Sequence, residues 1–183
     1  RYAIFSKIEE TGVKIIAAAI LKLEWITAIP TAVAGSLANE EMGVPGVSPY
    51  LSFGKTYAKM TGMPVGLIQT SLGGSPMERW NPKDGDLYQN MIDKIHQTGG
   101  HYAGILWYQG CSDTNPEPAA QYFEHFRDYV EAVRAELGYQ IPVFTMQLNR
   151  QINGINDECW GMVRDAQAKA AEKIEALGGK ADH

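Results

Sequence analysis

The sequence has little of what marks binding to nucleic acids, metals or membranes. Its 16 Lys and Arg residues are outnumbered by 21 Asp and Glu residues and form no cluster, which argues against a nucleic-acid surface. None of its four histidines pairs with another at metal-ligand spacing. The strongest apolar run, residues 13–23, is interrupted by two lysines and is shorter than the roughly 20 residues of a membrane helix. We therefore expect no nucleic acid, membrane, metal or cofactor as a partner.

Cysteine is also scarce, and the common signatures of nucleotide and hydrolase sites are absent. Cys111 and Cys159 form no disulfide framework, and two free thiols suit a reducing compartment, although one disulfide stays possible. This slightly favours a cytoplasmic location and otherwise leaves localisation open. The sequence also leaves the oligomeric state open. The sequence has no G-x-G-x-x-G, Walker A or G-x-S-x-G motif.

What is present is the composition of a globular domain. The 183 residues are 45% hydrophobic and 20% charged, and a chain of this length buries about two thirds of its unfolded surface. A single domain over residues 1–183 is expected.

Apolar runs alternate with amphipathic segments from residue 43 onward. The pattern predicts strands at 63–70, 102–108 and 141–148, and helices at 48–60, 86–97, 116–137 and 156–177. Another strand is predicted at 13–21. This alternation is typical of a parallel α/β sheet with helices on both faces.

Polar residues and glycines follow three of these strands where each strand ends. They lie at 69–74, 107–113 and 147–149. Ligands bind outside the carboxyl ends of parallel strands, so three adjacent strands ending in this way predict one polar crevice. Gly73 and Gly74 free backbone N–H groups to face an anion or a developing oxyanion. The alternative is that the two glycines only turn the chain.

Two segments carry a specific family resemblance. Residues 64–80 (PVGLIQTSLGGSPMERW) resemble the second conserved block of the sialate O-acetylesterase family, and residues 105–113 (ILWYQGCSD) resemble its third block. That family includes acetylxylan esterases and belongs to the SGNH hydrolase superfamily. The resemblance extends over roughly residues 45–177. It implies a three-layer α/β/α, flavodoxin-like fold and a serine esterase that removes O-acetyl groups from carbohydrates through an acyl-enzyme.

The resemblance also implies roles for individual residues. Gly73 and Gly74 would give a backbone N–H to the oxyanion, and the side-chain amide of Gln109 would give a second donor. Residues placed near the acetylated sugar are Ser71, Glu78, Arg79, Trp80 and Tyr108. The alternative for Glu78, Arg79 and Trp80 is an ordinary surface or packing role.

The sequence departs from the family pattern in its nucleophile and base. The Gly-Gln-Ser-Asn block expected before residue 48 is not found, since Ser6 and Ser36 lack its context. His183 has the wrong spacing for the late Asp-x-x-His block. Ser71 follows a strand, but no base accompanies it. Together with the start at Arg1, this predicts a domain that is incomplete at both ends, the alternative being a degenerate homologue.

A further departure lies in the third block. Many members of the family carry Glu after the Gln-Gly pair, where this chain has Cys111. Asp113 is predicted to compensate as the acid, with a packing role for Cys111 as the alternative. The alternative to the esterase hypothesis is a non-catalytic module that binds a carbohydrate or a small anion at the Gly73–Gly74 turn.

Overall fold

A parallel sheet of four strands lies at the centre of the described residues, which are 13–18, 49–149 and 157–177 in the computed structural model. The strands are β1 (Val13–Ala18), β2 (Val65–Gln69), β3 (Tyr102–Trp107) and β4 (Val143–Thr145). The helices are α1 (Pro49–Thr61), α2 (Asp86–Thr98), α3 (Pro116–Leu137) and α4 (Asp157–Leu177). The α/β class that the alternation predicts is confirmed.

The strand order corrects one expectation. The order is β2-β1-β3-β4, and every neighbouring pair is parallel. The strands β2 and β3 are therefore not adjacent, because β1 pairs with both of them. A site that uses the ends of β2 and β3 has to span the width of β1.

The predicted element bounds hold within about two residues at most ends, and β4 is the exception. It is only three residues long, whereas the apolar pattern predicts a strand over 141–148. Pro142 has no backbone N–H to give to a ladder. At the other end, the backbone N–H of Leu148 donates to the side chain of Gln167 at 2.8 Å, and the carbonyl of Asn149 accepts from the indole of Trp160 at 2.6 Å. Helix α4 therefore takes up backbone groups that a longer strand would use.

Helices cover both faces of the sheet at β2. Successive strand residues point to opposite faces, so Leu67 and Ile68 face different layers. Leu67 lies against α1, since a Cβ on Gly54 would be 3.3 Å from its Cδ1. Ile68 joins the main buried cluster, which contains residues of α2 and α3. None of the helices that the structure describes is long and apolar enough to cross a bilayer.

Four aromatic rings form the centre of the core. The rings of Trp107 and Tyr129 are 4.5 Å apart, those of Trp80 and Trp107 are 5.2 Å apart with edge-to-face geometry, and Phe126 lies 5.4 Å from Trp107. Trp80 and Trp107 are fully buried. These residues come from α3, from the end of β3 and from a short turn after β2. The packing therefore fixes that turn relative to β3.

The turn that carries Trp80 is a 3₁₀ turn, Met77–Trp80. Gly85 packs against its back and donates its backbone N–H to the carbonyl of Asn81 at 2.8 Å. A Cβ at Gly85 would lie 2.6 Å from three backbone atoms of Arg79 and Asn81. Backbone atoms cannot move aside as a flexible side chain can, so this close approach requires glycine.

We predict that Gly85→Ala destabilises the protein, because its methyl group meets backbone on three sides. The free energy of unfolding in urea should fall by about 2 kcal/mol or more, the usual scale of overpacking. The matched control is Gly161→Ala in α4, where a Cβ would meet nothing within 4 Å. That control should gain about 0.5–1 kcal/mol from helix propensity. Equal stability of the two variants would contradict the close-packing account.

Candidate active site

Two loops leave the carboxyl ends of β2 and β3, and Gln109 joins them. We call residues 70–76 the glycine loop and residues 108–115 the glutamine loop. The Gln109 side chain is 6% exposed, and its amide nitrogen donates to the carbonyl of Ser75 at 2.9 Å and to the carboxylate of Asp113. Both amide hydrogens are engaged in this way. Its oxygen Oε1 is buried and has no hydrogen-bond partner in the part of the chain that the structure describes.

Asp113 extends this connection into the turn after the glycine loop. Its side chain is buried, and its Oδ1 accepts the backbone N–H of Met77 at 2.9 Å while Oδ2 accepts from Gln109. Burial raises the pKa of Asp113 above its ordinary value, and these hydrogen bonds and the nearby His125 act in the opposite direction. The carboxylate therefore anchors the two loops to each other.

The glycine loop presents backbone at the surface. Gly74 is exposed and has a φ of +76°, in the left-handed region that favours glycine. Nothing lies within 4 Å of a Cβ built at this position. Glycine is therefore favoured here by the backbone conformation and not by a lack of space. Ser112 donates its hydroxyl to the Gly74 carbonyl at 2.8 Å. No hydrogen bond among residues 13–18, 49–149 and 157–177 uses the backbone N–H of Gly73 or Gly74.

The structure gives Trp80 a packing role in place of the predicted contact with a sugar. Its ring is fully buried in the aromatic core, and its indole N–H donates to the hydroxyl of Ser75 at 3.0 Å. The same hydroxyl donates to the carbonyl of Leu72 at 2.9 Å. Trp80 thus supports the glycine loop from below, and a fully buried ring offers no face to a ligand.

Glu78 and Arg79 lie beside Trp80 on the 3₁₀ turn. The Glu78 side chain is exposed. The guanidinium of Arg79 forms an ion pair with Asp86 at the start of α2, with Nε donating to Oδ1 at 3.0 Å. Hydrogen bonding and the charge of Arg79 lower the pKa of Asp86, although partial burial acts in the other direction. The pair joins the turn to α2 at the protein surface.

Tyr108 and Cys111 are both half-buried on the glutamine loop. Burial raises the pKa of Cys111, and the nearby Asp113 raises it further. A thiol with a raised pKa stays protonated at neutral pH and is a poor nucleophile. The pKa of Tyr108 is raised by burial and by Cys111. Cys111 therefore fits the predicted packing role better than a chemical one.

The described residues contain no hydrogen-bonded pair of a serine and a histidine that could serve as nucleophile and base. Ser71 is buried, and its hydroxyl accepts a long hydrogen bond of 3.5 Å from Gln69. No histidine in the described ranges forms a hydrogen bond with a serine hydroxyl. Ser6, Ser36 and His183 lie outside the described residues. The same ranges contain no group of three or more His, Cys, Asp or Glu residues that could hold a metal ion.

The sequence interpretation missed two buried polar side chains that contact Gln109. Tyr122 of α3 and Gln167 of α4 both donate to its carbonyl, at 3.1 and 2.8 Å. Tyr122 reads in the sequence as one more member of an apolar helical stripe. Gln167 carries a detectable signal, because it is an amide at helical spacing among the buried Val163, Ala170 and Ile174.

We predict a distinct pH dependence for Asp113. Its pKa is raised in the folded state, so the stability linked to this group is present at low pH and is lost as pH rises through the folded-state pKa. As pH rises from 3.8, the ordinary pKa of an aspartate side chain, towards neutrality, the wild type should therefore lose stability relative to Asp113→Asn, whose side chain does not titrate. Urea unfolding of both proteins, at steps of about half a pH unit between about pH 4 and 7, measures this difference in the free energy of unfolding. A difference that is flat, or that favours the wild type as pH rises, would contradict the raised pKa.

Comparison with known proteins identifies the fold. No curated protein matches the chain in sequence. A carbohydrate acetylesterase from Xanthomonas citri superposes with a TM-score of 0.66 at 22% identity, covering 88% of this chain and 48% of that one. A protein from Arabidopsis thaliana gives 0.64 at 19% identity, covering 84% and 79%. The lipase/acylhydrolase from Enterococcus faecalis gives 0.55 at 12% identity, covering 91% and 72%. The chain is thus similar in fold to these proteins and spans about half the length of the Xanthomonas enzyme.

The family is established by a separate match. The model of a carbohydrate esterase family, described as sialic acid-specific acetylesterase, matches residues 7–179. This range includes both sequence blocks, the whole described sheet and the two loops that Gln109 joins. The resemblance seen in residues 64–80 and 105–113 is thereby confirmed, and the chain belongs to the carbohydrate esterase family of sialic acid-specific acetylesterases.

Proposed function

We propose that this protein is a carbohydrate O-acetylesterase that uses a serine nucleophile and an acyl-enzyme. The observation that carries the proposal is the joined pair of loops at the carboxyl ends of β2 and β3, in a chain that belongs to an acetylesterase family. This edge of a parallel sheet is where α/β proteins bind their ligands. The neighbour from Xanthomonas citri, itself described as a carbohydrate acetylesterase, supports the same class.

The glycine loop suits the charge that develops during ester hydrolysis. Attack of a hydroxyl on the acetyl carbonyl places negative charge on the carbonyl oxygen, and backbone N–H groups held in position stabilise that charge. The N–H groups of Gly73 and Gly74 have no other partner among the described residues. Collapse of the intermediate releases the sugar hydroxyl and leaves the acetyl group on the enzyme, from which water removes it.

The place of Gln109 in this reaction follows from its contacts. An oxyanion role requires one amide hydrogen to turn away from Ser75 or Asp113, because both are engaged in this structure. Either way, Gln109 sets the distance between the glycine loop and the glutamine loop. Asp113 contacts Gln109 and Met77, and we assign it the anchoring of the glutamine loop to the turn after the glycine loop, in place of the acid role that the sequence predicts.

The surface next to the glycine loop is the proposed sugar site. Glu78 is exposed there, and Tyr108 is half-buried on the facing loop. Arg79 already pairs with Asp86, which makes its guanidinium a rigid group held by α2. Ser71 lies buried at the start of the loop. We assign the substrate class as an acetylated carbohydrate, with sialic acid and xylan-type glycans as its two family precedents.

One observation favours a second candidate function. Because the amide hydrogens of Gln109 are both used internally, the same loops could serve a module that binds a carbohydrate or a small anion without chemistry. Such a module would bind acetylated sugar and release no acetate.

The test is acetate release by the intact gene product from an acetylated monosaccharide and from 4-nitrophenyl acetate. We predict turnover on both, and Gln109→Ala should lower kcat by about 10²–10³, the usual loss for one oxyanion-site group. The control is Gln97→Ala, an exposed glutamine of α2, which should keep wild-type kcat.

Urea unfolding of both variants separates lost chemistry from a lost fold. Saturable sugar binding without acetate release by the wild type would refute the esterase and support the binding module. Full activity of a stably folded Gln109→Ala protein would refute the role given to Gln109.

A further inference from the structure

A buried glutamine on α4 reaches the ends of two strands. The Gln167 side chain is 1% exposed. Its Nε2 donates to the backbone carbonyl of Gln109 at 2.8 Å, just after β3, and its Oε1 accepts the backbone N–H of Leu148 at 2.8 Å, just after β4. Both ends of the amide are thus used on main-chain groups that the sheet leaves unpaired. A buried amide destabilises the folded protein unless its hydrogen bonds are made.

Glycine at position 110 permits this approach. A Cβ at Gly110 would lie 3.0 Å from Nε2 of Gln167 and 2.9 Å from Cγ1 of Val163, and the residue has a φ of +135°. Helix α4 therefore lies directly against the start of the glutamine loop. The second donor to the Gln109 carbonyl is the hydroxyl of Tyr122, which is fully buried on α3.

These contacts form one continuous series from α4 to the glycine loop. Gln167 and Tyr122 hold the carbonyl of Gln109, whose side-chain amide holds the carbonyl of Ser75. Because one residue carries both the held carbonyl and the bridging amide, a shift of its main chain displaces the amide. Displacements of about 1 Å at a reacting site are enough to slow chemistry strongly.

We propose that Gln167, assisted by Tyr122, is a positioning residue for this site: from α4 it fixes the main chain of Gln109 and thereby the orientation of the Gln109 amide. The assignment rests on the proposed esterase function for its kinetic consequence. Its structural consequence, a fixed Gln109 side chain, can be measured without any turnover.

The test replaces Gln167 with methionine, which has similar length and no hydrogen-bonding amide. We expect kcat for 4-nitrophenyl acetate to fall about tenfold with KM changed less than twofold, because orientation and not binding is lost. In ¹⁵N-labelled protein, the side-chain amide resonances of Gln109, assigned by their absence in Gln109→Ala, should shift or broaden. The matched control is Gln121→Met at an exposed position of α3, which should leave both readouts at wild-type values.

Tyr122→Phe is the second variant, in case Gln167→Met does not fold. It removes one hydroxyl and keeps the ring, and we expect a loss in kcat of about fivefold, the scale of one neutral hydrogen bond, with a smaller shift of the same resonances. Unmoved Gln109 amide resonances in a folded Gln167→Met or Tyr122→Phe protein would overturn the proposal. If the wild type shows no turnover, the esterase function fails, and the resonances alone decide the positioning role.

Discussion

The candidate site depends on the way one buried residue, Gln109, satisfies its polar groups. Buried backbone and amide groups are costly to leave unpaired. Gln109 stands where β3 ends and meets most of this constraint: its amide hydrogens go to Ser75 and Asp113 and its carbonyl accepts from Tyr122 and Gln167, while its Oε1 has no partner among the described residues. Two loops and two helices are thereby fixed at one point. Since β1 lies between β2 and β3, the sheet ladder cannot join these loops, and the side chains do so in its place.

Under the proposed esterase function, a rigid, largely buried network would hold the glycine loop in place at this edge. Donors that are already oriented do not have to reorganise when charge develops on an acetyl oxygen, which is why preorganised sites stabilise transition states well. Gly74 is exposed, and the residue after it, Ser75, is buried and accepts a hydrogen bond from the indole of the buried Trp80. Burial raises the pKa of Asp113, and two hydrogen bonds act in the opposite direction: the one from the backbone N–H of Met77 holds the turn after the glycine loop, and the other comes from Gln109. Under the proposed function, stability and activity would therefore depend on the same contacts.

Much of the fold could be predicted from sequence, because its helices have strong periodicity and clear ends. The range of α3 is as predicted, with Pro116 at its start and Gly138 in the left-handed conformation after its end. Strand order could not be predicted from periodicity, because it is set by pairing between distant segments, whereas the flavodoxin-like fold implied by the family resemblance has the observed order. The contact between a sugar and Trp80 was expected from its place in a family block, whereas the structure buries the ring, and no local pattern distinguishes the two roles. Gln167 was missed because its partners are main-chain groups 19 and 58 residues away.

The most direct measurement of the central claim is a double-mutant cycle between Gln109 and Asp113. The free energies of unfolding of the wild type, Gln109→Ala, Asp113→Ala and the double variant, measured in urea at pH 7, give the coupling between the two side chains. If this hydrogen bond fixes the two side chains that reach across to Ser75 and Met77, the coupling should be favourable by about 0.5–3 kcal/mol, the range for residues in one buried network. Additive effects, with a coupling near zero, would contradict it.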